Sequence, residues 1–104
     1  MMLSDPRGLL ALPPAGTGPG VLVLHAWWGL NVTFKNLCDR LAAERFTTLA
    51  VDLYHDKIAA TIPEAEKLRK TLKRDRTSAE ILQALAELQS QPGVVGKAIG
   101  LIGF

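Results

Sequence analysis

The sequence predicts an α/β fold: a parallel sheet with helices on its faces, in one small domain. Three observations carry this. Residues 21–24, Val-Leu-Val-Leu, form an unbroken apolar run between Gly20 and His25, as in a strand buried on both faces. An amphipathic stripe, Phe34, Leu37, Cys38, Leu41 and Ala42, follows at i, i+3, i+4, i+7 and i+8, and leads into a second β-branched, apolar run over residues 47–53. Residues 98–102 add a third short buried strand near Phe104. The order is strand, helix, strand, helical segments, strand. Each crossover is long enough for a right-handed parallel connection.

Length and composition bound the rest. A chain of 104 residues makes at most one domain, and 48% hydrophobic residues with a mean hydropathy of +0.17 require a buried core. No apolar run reaches the ~18 residues that span a bilayer. The lead segment, Met-Met-Leu-Ser-Asp-Pro-Arg, has no charged start followed by a long apolar stretch, so no signal peptide and no membrane are expected and a cytoplasmic location is. One cysteine, Cys38, leaves no internal disulfide and suits a reducing compartment. Net charge is only +2. Half of the basic residues (Lys67, Arg69, Lys70, Lys73, Arg74 and Arg76) sit in one stretch with Glu64, Glu66, Asp75 and Glu80 interleaved. No aromatic residue accompanies them, so a solvated helix face is expected and no nucleic-acid partner.

Taken in order, residues 1–20 read as a lead-in, with a possible short edge strand over 8–12 and a Pro/Gly loop over 13–20. A phosphate loop needs a strand before it and a helix after it, whereas the Gly16-Thr-Gly18 segment is followed by a strand. The strand at 21–24 ends in His25-Ala-Trp-Trp-Gly29. Asn31 or Thr33 caps the first helix, which runs to about Glu44. On its stripe Cys38 reads as a buried small hydrophobe rather than a reactive thiol. Tyr54-His-Asp-Lys57 opens the loop after the second strand. Thr61-Ile-Pro-Glu64 has the capping-box pattern, with proline tolerated in the first turn. Ala65, Leu68 and Leu72 form one helical stripe, and Ile81, Leu82, Leu85 and Leu88 another, with a bend or break expected over 75–78. Gln91-Pro-Gly93 ends the helical region.

A sheet of this kind binds ligands beyond the carboxyl ends of its strands, where successive connections leave in opposite directions. If the last strand pairs beside residues 21–24, that point lies between Trp27 and Phe104. Gly103-Phe104 also fits the first two positions of a Gly-x-Ser/Cys-x-Gly turn, which lifts a nucleophile above the sheet. The nucleophile then falls at residue 105. Ser4, Ser78 and Ser90 stand in no such context.

Four segments carry a family resemblance: Val21-Leu-Val-Leu-His-Ala-Trp-Trp-Gly-Leu-Asn31, Leu37-Cys-Asp-Arg-Leu-Ala42, Asp52-Leu-Tyr54 and Ile99-Gly-Leu-Ile-Gly-Phe104. Together they resemble the amino-terminal half of the dienelactone hydrolases (carboxymethylenebutenolidases), over residues 21–104. The resemblance implies a partial α/β-hydrolase fold and a small-molecule ester or lactone substrate. It implies attack by a Cys or Ser nucleophile served by a later Asp and His, with no metal or organic cofactor. The backbone N–H of Trp27 matches a donor of the family's oxyanion hole, and this role does not depend on side-chain identity. His25, Ala26, Trp28, Gly103 and Phe104 would form the site wall. Family members usually carry Glu where this chain has Ala26, and that Glu is thought to contact the nucleophile. Val51 replaces a proline common before Asp-Leu-Tyr. The arginines that hold substrate carboxylate in the family have no assigned counterparts here.

Each residue also has a plainer reading. His25 is expected to be a hydrogen-bonded structural residue rather than an acid–base participant. Trp27 and Trp28 either line an acyl pocket or cover the upper edge of the sheet. Asp52 is expected to bond nearby loop amides. His25, Asp52, His55 and Asp56 match no compact metal-ligand spacing. Lys57 reads as a solvated loop residue.

Two functions of different kind follow. In the first, the chain is a truncated ester or lactone hydrolase, inactive alone for want of its triad. In the second, it is a non-catalytic half-domain that associates with itself or another chain through an open sheet edge. A nucleotide-binding module ranks last, because His-Ala-Trp-Trp-Gly is too bulky for the turn it needs.

Overall fold

A computed structural model describes residues 2–5 and 7–104, the side chain of Lys97 excepted. The described elements are strands β1 (Met2–Asp5), β2 (Gly8–Ala11) and β3 (Gly18–Leu24), helix α1 (Val32–Ala43), strand β4 (Thr47–Val51), helices α2 (Ile62–Lys70) and α3 (Arg74–Ser90), and strand β5 (Val94–Gly103). They build one five-stranded sheet in the order β1-β2-β4-β3-β5.

The core of the sheet is parallel, as its apolar runs require. β3 pairs with β4 on one side, Leu22 opposite Leu49, and with β5 on the other, Leu22 opposite Leu101. The sheet as a whole is mixed. β2 runs antiparallel to β4 and β1 antiparallel to β2. The stretch over 8–12 is therefore a strand but not an edge, since it has partners on both sides and β1 lies outside it. Short exposed β1 carries too little apolar alternation to be read as a strand from sequence.

The two faces divide the apolar residues by strand alternation. Val21, Val23 and Ala50 pack with Phe34, Cys38 and Ala42 of α1. Leu22, Leu49 and Val51 pack with Ala84 and Leu88 of α3. Leu49, Leu88 and Val23 are fully buried, and each contributes roughly 1.5–3 kcal/mol relative to exposure.

Other boundaries differ for local reasons. The helical break falls over residues 71–73, earlier than the expected 75–78. There the hydroxyl of Thr71 donates to the carbonyl of Leu68 at 2.6 Å and its N–H closes a tight turn on the same oxygen, while Lys73 is extended. Asp75 is free to sit in the first turn of α3, where a carboxylate is favoured. β5 begins at Val94 rather than 98. Its register slips between Gly18 and Gly20, and Gly96 takes up the slack at φ +82°. β4 stops at Val51, and the N–H of Asp52 turns to the carbonyl of Arg7.

Candidate functional site at the carboxyl ends of the parallel strands

β3 feeds α1 on one face and β4 feeds α2 and α3, with α3 on the other face, before the chain returns as β5 beside β3. The condition set by the sequence is met. The switch in direction brings the carboxyl ends of β3 and β5 side by side, with Leu24 opposite Gly103.

The segment 25–30 leaves β3 as a tight loop held at several points. The N–H of Gly29 donates to the carbonyl of Ala26 at 3.1 Å, and that of Asn31 to the carbonyl of Gly29 at 2.9 Å. Gly29 sits at φ +95°, and a Cβ there would come within 2.6 Å of the Lys57 carbonyl, so only glycine fits. The N–H of Ala59 donates to the carbonyl of Trp28, tying this loop to the one after β4. Asn31 then caps α1, its Oδ1 accepting from Thr33 and Phe34.

His25 is 8% exposed and uses both ring nitrogens. Nε2 lies 3.0 Å from the N–H of Leu53, and Nδ1 lies 2.6 Å from the carbonyl oxygen of Ala26. An amide can only donate and a carbonyl can only accept, so Nε2 carries the lone pair and Nδ1 the proton. No lone pair is left for a substrate proton, which matches the structural reading of His25. Tyr54, also buried, places its ring 4.9 Å from the imidazole. Burial pushes the Tyr54 phenol above its ordinary value, and Arg69 pulls it partly back.

Trp27 and Trp28 are half-buried and meet edge to face at 5.6 Å. Phe104, 65% exposed, packs edge to face on buried Phe34 at 5.0 Å, which links the end of β5 to the first turn of α1. Among the described residues no ring contact joins either tryptophan to Phe104. Space beside Gly103 is open: a Cβ there would meet nothing within 4 Å. The N–H of Trp27 has no acceptor among the described residues.

The remaining polar candidates disperse. Asp52 accepts from the N–H groups of Tyr54 at 3.1 Å and Asp56 at 2.8 Å, as expected for a loop-bonding carboxylate. His55 pairs with Glu80 at 3.0 Å. Among the described residues no three His, Cys, Asp or Glu side chains are placed to hold a metal ion. No described helix is long and apolar enough to cross a membrane. A cleft of about 420 Å³ opens on the hairpin side, lined by residues including Asp5, Lys35, Asp52 and Ile58. It touches neither Trp27 nor Phe104. Sequence alone singles out neither the Leu53 amide nor the Tyr54 ring. A backbone donor leaves no side-chain signature.

The family model described as the dienelactone hydrolase family matches residues 7–104. This chain belongs to that family. A protein from Aquifex pyrophilus named Protein usf is 36% identical over 104 residues, which cover 94% of this chain and 45% of that protein. Among solved structures, a dienelactone hydrolase-like promiscuous phosphotriesterase, P91, from metagenomic libraries is 30% identical with a TM-score of 0.74, covering 92% of this chain and 42% of its own. A protein titled m3DLH is 26% identical with a TM-score of 0.75, covering 99% and 46%. The fold is that of the α/β-hydrolases, as the resemblance implied, and the chain spans under half the length of these relatives.

Proposed function

We propose that this dienelactone hydrolase family chain supplies the oxyanion side of an ester- or lactone-hydrolysing site, and that the nucleophile follows Phe104. The observation that carries the reading is the Trp27 N–H, left without an acceptor on a braced loop at the carboxyl end of β3. An amide in a folded chain normally finds a partner in the protein or in water. A free one in the loop just past the end of β3, whose last residue Leu24 pairs with Gly103, suits a negative charge that develops only during reaction. Attack on the ester carbonyl would place its oxygen on that N–H and on the N–H of the residue after the nucleophile. Trp28, Phe104 and Gly103 would wall the substrate, with no metal or organic cofactor taking part. Cys38, buried on the inner face of α1, fits the reducing conditions of a cytoplasmic enzyme.

The test is hydrolysis of p-nitrophenyl acetate and a simple lactone by the 104-residue chain and by a form that continues past Phe104. Turnover is expected only from the longer form. Turnover by the 104 residues alone, surviving purification and persisting in Trp27→Pro, would overturn the reading.

One observation favours a second reading. Among the described residues β5 has no partner on its outer edge, and Leu101 is 65% and Val95 59% exposed along it, with Leu82 of α3 at 64%. A non-catalytic half-domain would use this edge to bind a second copy or another chain. A folded monomer in size-exclusion chromatography at high concentration rules that reading out.

A further inference from the structure

The oxyanion reading leaves open what aims the Trp27 N–H, and His25 answers it. The carbonyl of Ala26 and the N–H of Trp27 belong to one peptide unit. That unit is planar, and none of the described peptide bonds is cis, so the two groups point in opposite directions. Whatever holds the Ala26 oxygen therefore aims the Trp27 hydrogen.

Two donors hold the Ala26 oxygen: Nδ1–H of His25 at 2.6 Å and the N–H of Gly29 at 3.1 Å. The imidazole is not free to swing, because its Nε2 is itself held by the N–H of Leu53 just past β4. Tyr54 covers one side of the ring. A rigid bridge thus runs from the end of β4, through the imidazole, to one peptide of the loop after β3.

We infer that His25 is a positioning residue: its neutral, Nδ1-protonated imidazole locks the Ala26–Trp27 peptide so that the Trp27 N–H faces away from the loop and stays available to an oxyanion. This rests on the oxyanion reading of Trp27 for its catalytic consequence, but not for its geometry. The tautomer is essential. A proton on Nε2 would face the Leu53 N–H donor to donor and leave Nδ1 with a lone pair against the Ala26 carbonyl. Both bonds would then be lost together.

The geometry is tested on the chain labelled with ¹⁵N in its histidines and backbone. The His25 ring should show its proton on Nδ1, with scalar coupling across the hydrogen bond between Nε2 and the Leu53 amide nitrogen. A proton on Nε2, in either charge state, overturns the inference whatever Trp27 does. The consequence is tested in an ester-hydrolysing form that continues past Phe104. His25→Phe keeps the ring packing but removes both bonds, and kcat should fall roughly 10- to 100-fold with KM within about 3-fold, short of the ~10²–10³ lost when a donor is deleted. His25→Gln carries a donor and an acceptor spaced much as the ring nitrogens are, so it should restore kcat to within about 3-fold. Loss in both variants alike, or in neither, contradicts the positioning role. If instead Trp27→Pro leaves kcat unchanged, the oxyanion reading fails while the tautomer result still decides the lock.

Discussion

Leu53 gives its backbone N–H to Nε2 of His25 at 3.0 Å. These residues lie just past the ends of two neighbouring parallel strands, so one side chain joins two loops that the sheet alone would leave independent. The loop after β3 is braced again at Gly29, where a side chain is excluded both by φ +95° and by the Lys57 carbonyl. Gly29→Ala should therefore destabilise the fold by about 1–3 kcal/mol, read as a lower urea midpoint at unchanged m-value.

Thr47 and Thr48 make a matched pair with opposite expected outcomes. Both are fully buried on β4. The Thr47 hydroxyl donates to the Gly93 carbonyl at 2.6 Å, whereas the Thr48 hydroxyl has no partner among the described residues. Thr47→Val should cost about 1 kcal/mol, because it removes one of the two hydrogen bonds on the buried Gly93 carbonyl, which keeps the N–H of Gly18 at 2.9 Å. Thr48→Val should be neutral or stabilise by up to about 1 kcal/mol, because it removes a hydroxyl buried without reward. Urea melts of the two variants check the contrast.

Burial pushes the Cys38 thiol from 9.0 up to about 11. The unfolded thiol ionises first, so the protection of the folded thiol is complete below pH 9 and is lost as pH rises toward 11. Tyr54, raised above its ordinary 10.0, adds to the same alkaline loss. Folding stability should fall over this range, and less steeply in Cys38→Ala. At pH 8 the native chain should resist a thiol reagent that labels it at once in denaturant.

Glu87 is raised as well, first by desolvation and then by the charge and hydrogen bond of Asp5, against the pull of Arg7. A carboxyl raised on folding contributes stability below its unfolded value near 4.5, lost as pH climbs through the folded value. Glu87→Gln should flatten that part of the stability profile. A profile identical to that of the parent chain would show that Asp5 and Glu87 do not couple.

The sequence made the helices and the inner strands legible because each has its own local signal. The stripe of α1 and the Asn31 cap fall where periodicity and capping chemistry put them. Thr61 caps α2 through the Glu64 N–H at 3.3 Å, although the Glu64 carboxylate reaches back to Ala60 instead of completing the box. The rest is hidden for physical reasons. β1 is short, exposed and held in the sheet by its pairing with β2, and the start of β5 is masked by Gly96 and its register slip. That the ends of β3 and β5 lie side by side was legible from the strand order. The bridge from Leu53 through His25 to Ala26 was not, since two of its three groups are main chain.

The central claim is that the Trp27 N–H stabilises an oxyanion. The most direct measurement compares Trp27→Ala, which keeps the N–H, with Trp27→Pro, which removes it, in an ester-hydrolysing form that continues past Phe104. Trp27→Ala should hold kcat to within about 5-fold, whereas Trp27→Pro should lose about 10²–10³-fold while remaining folded by circular dichroism. Equal kcat in the two variants would contradict it.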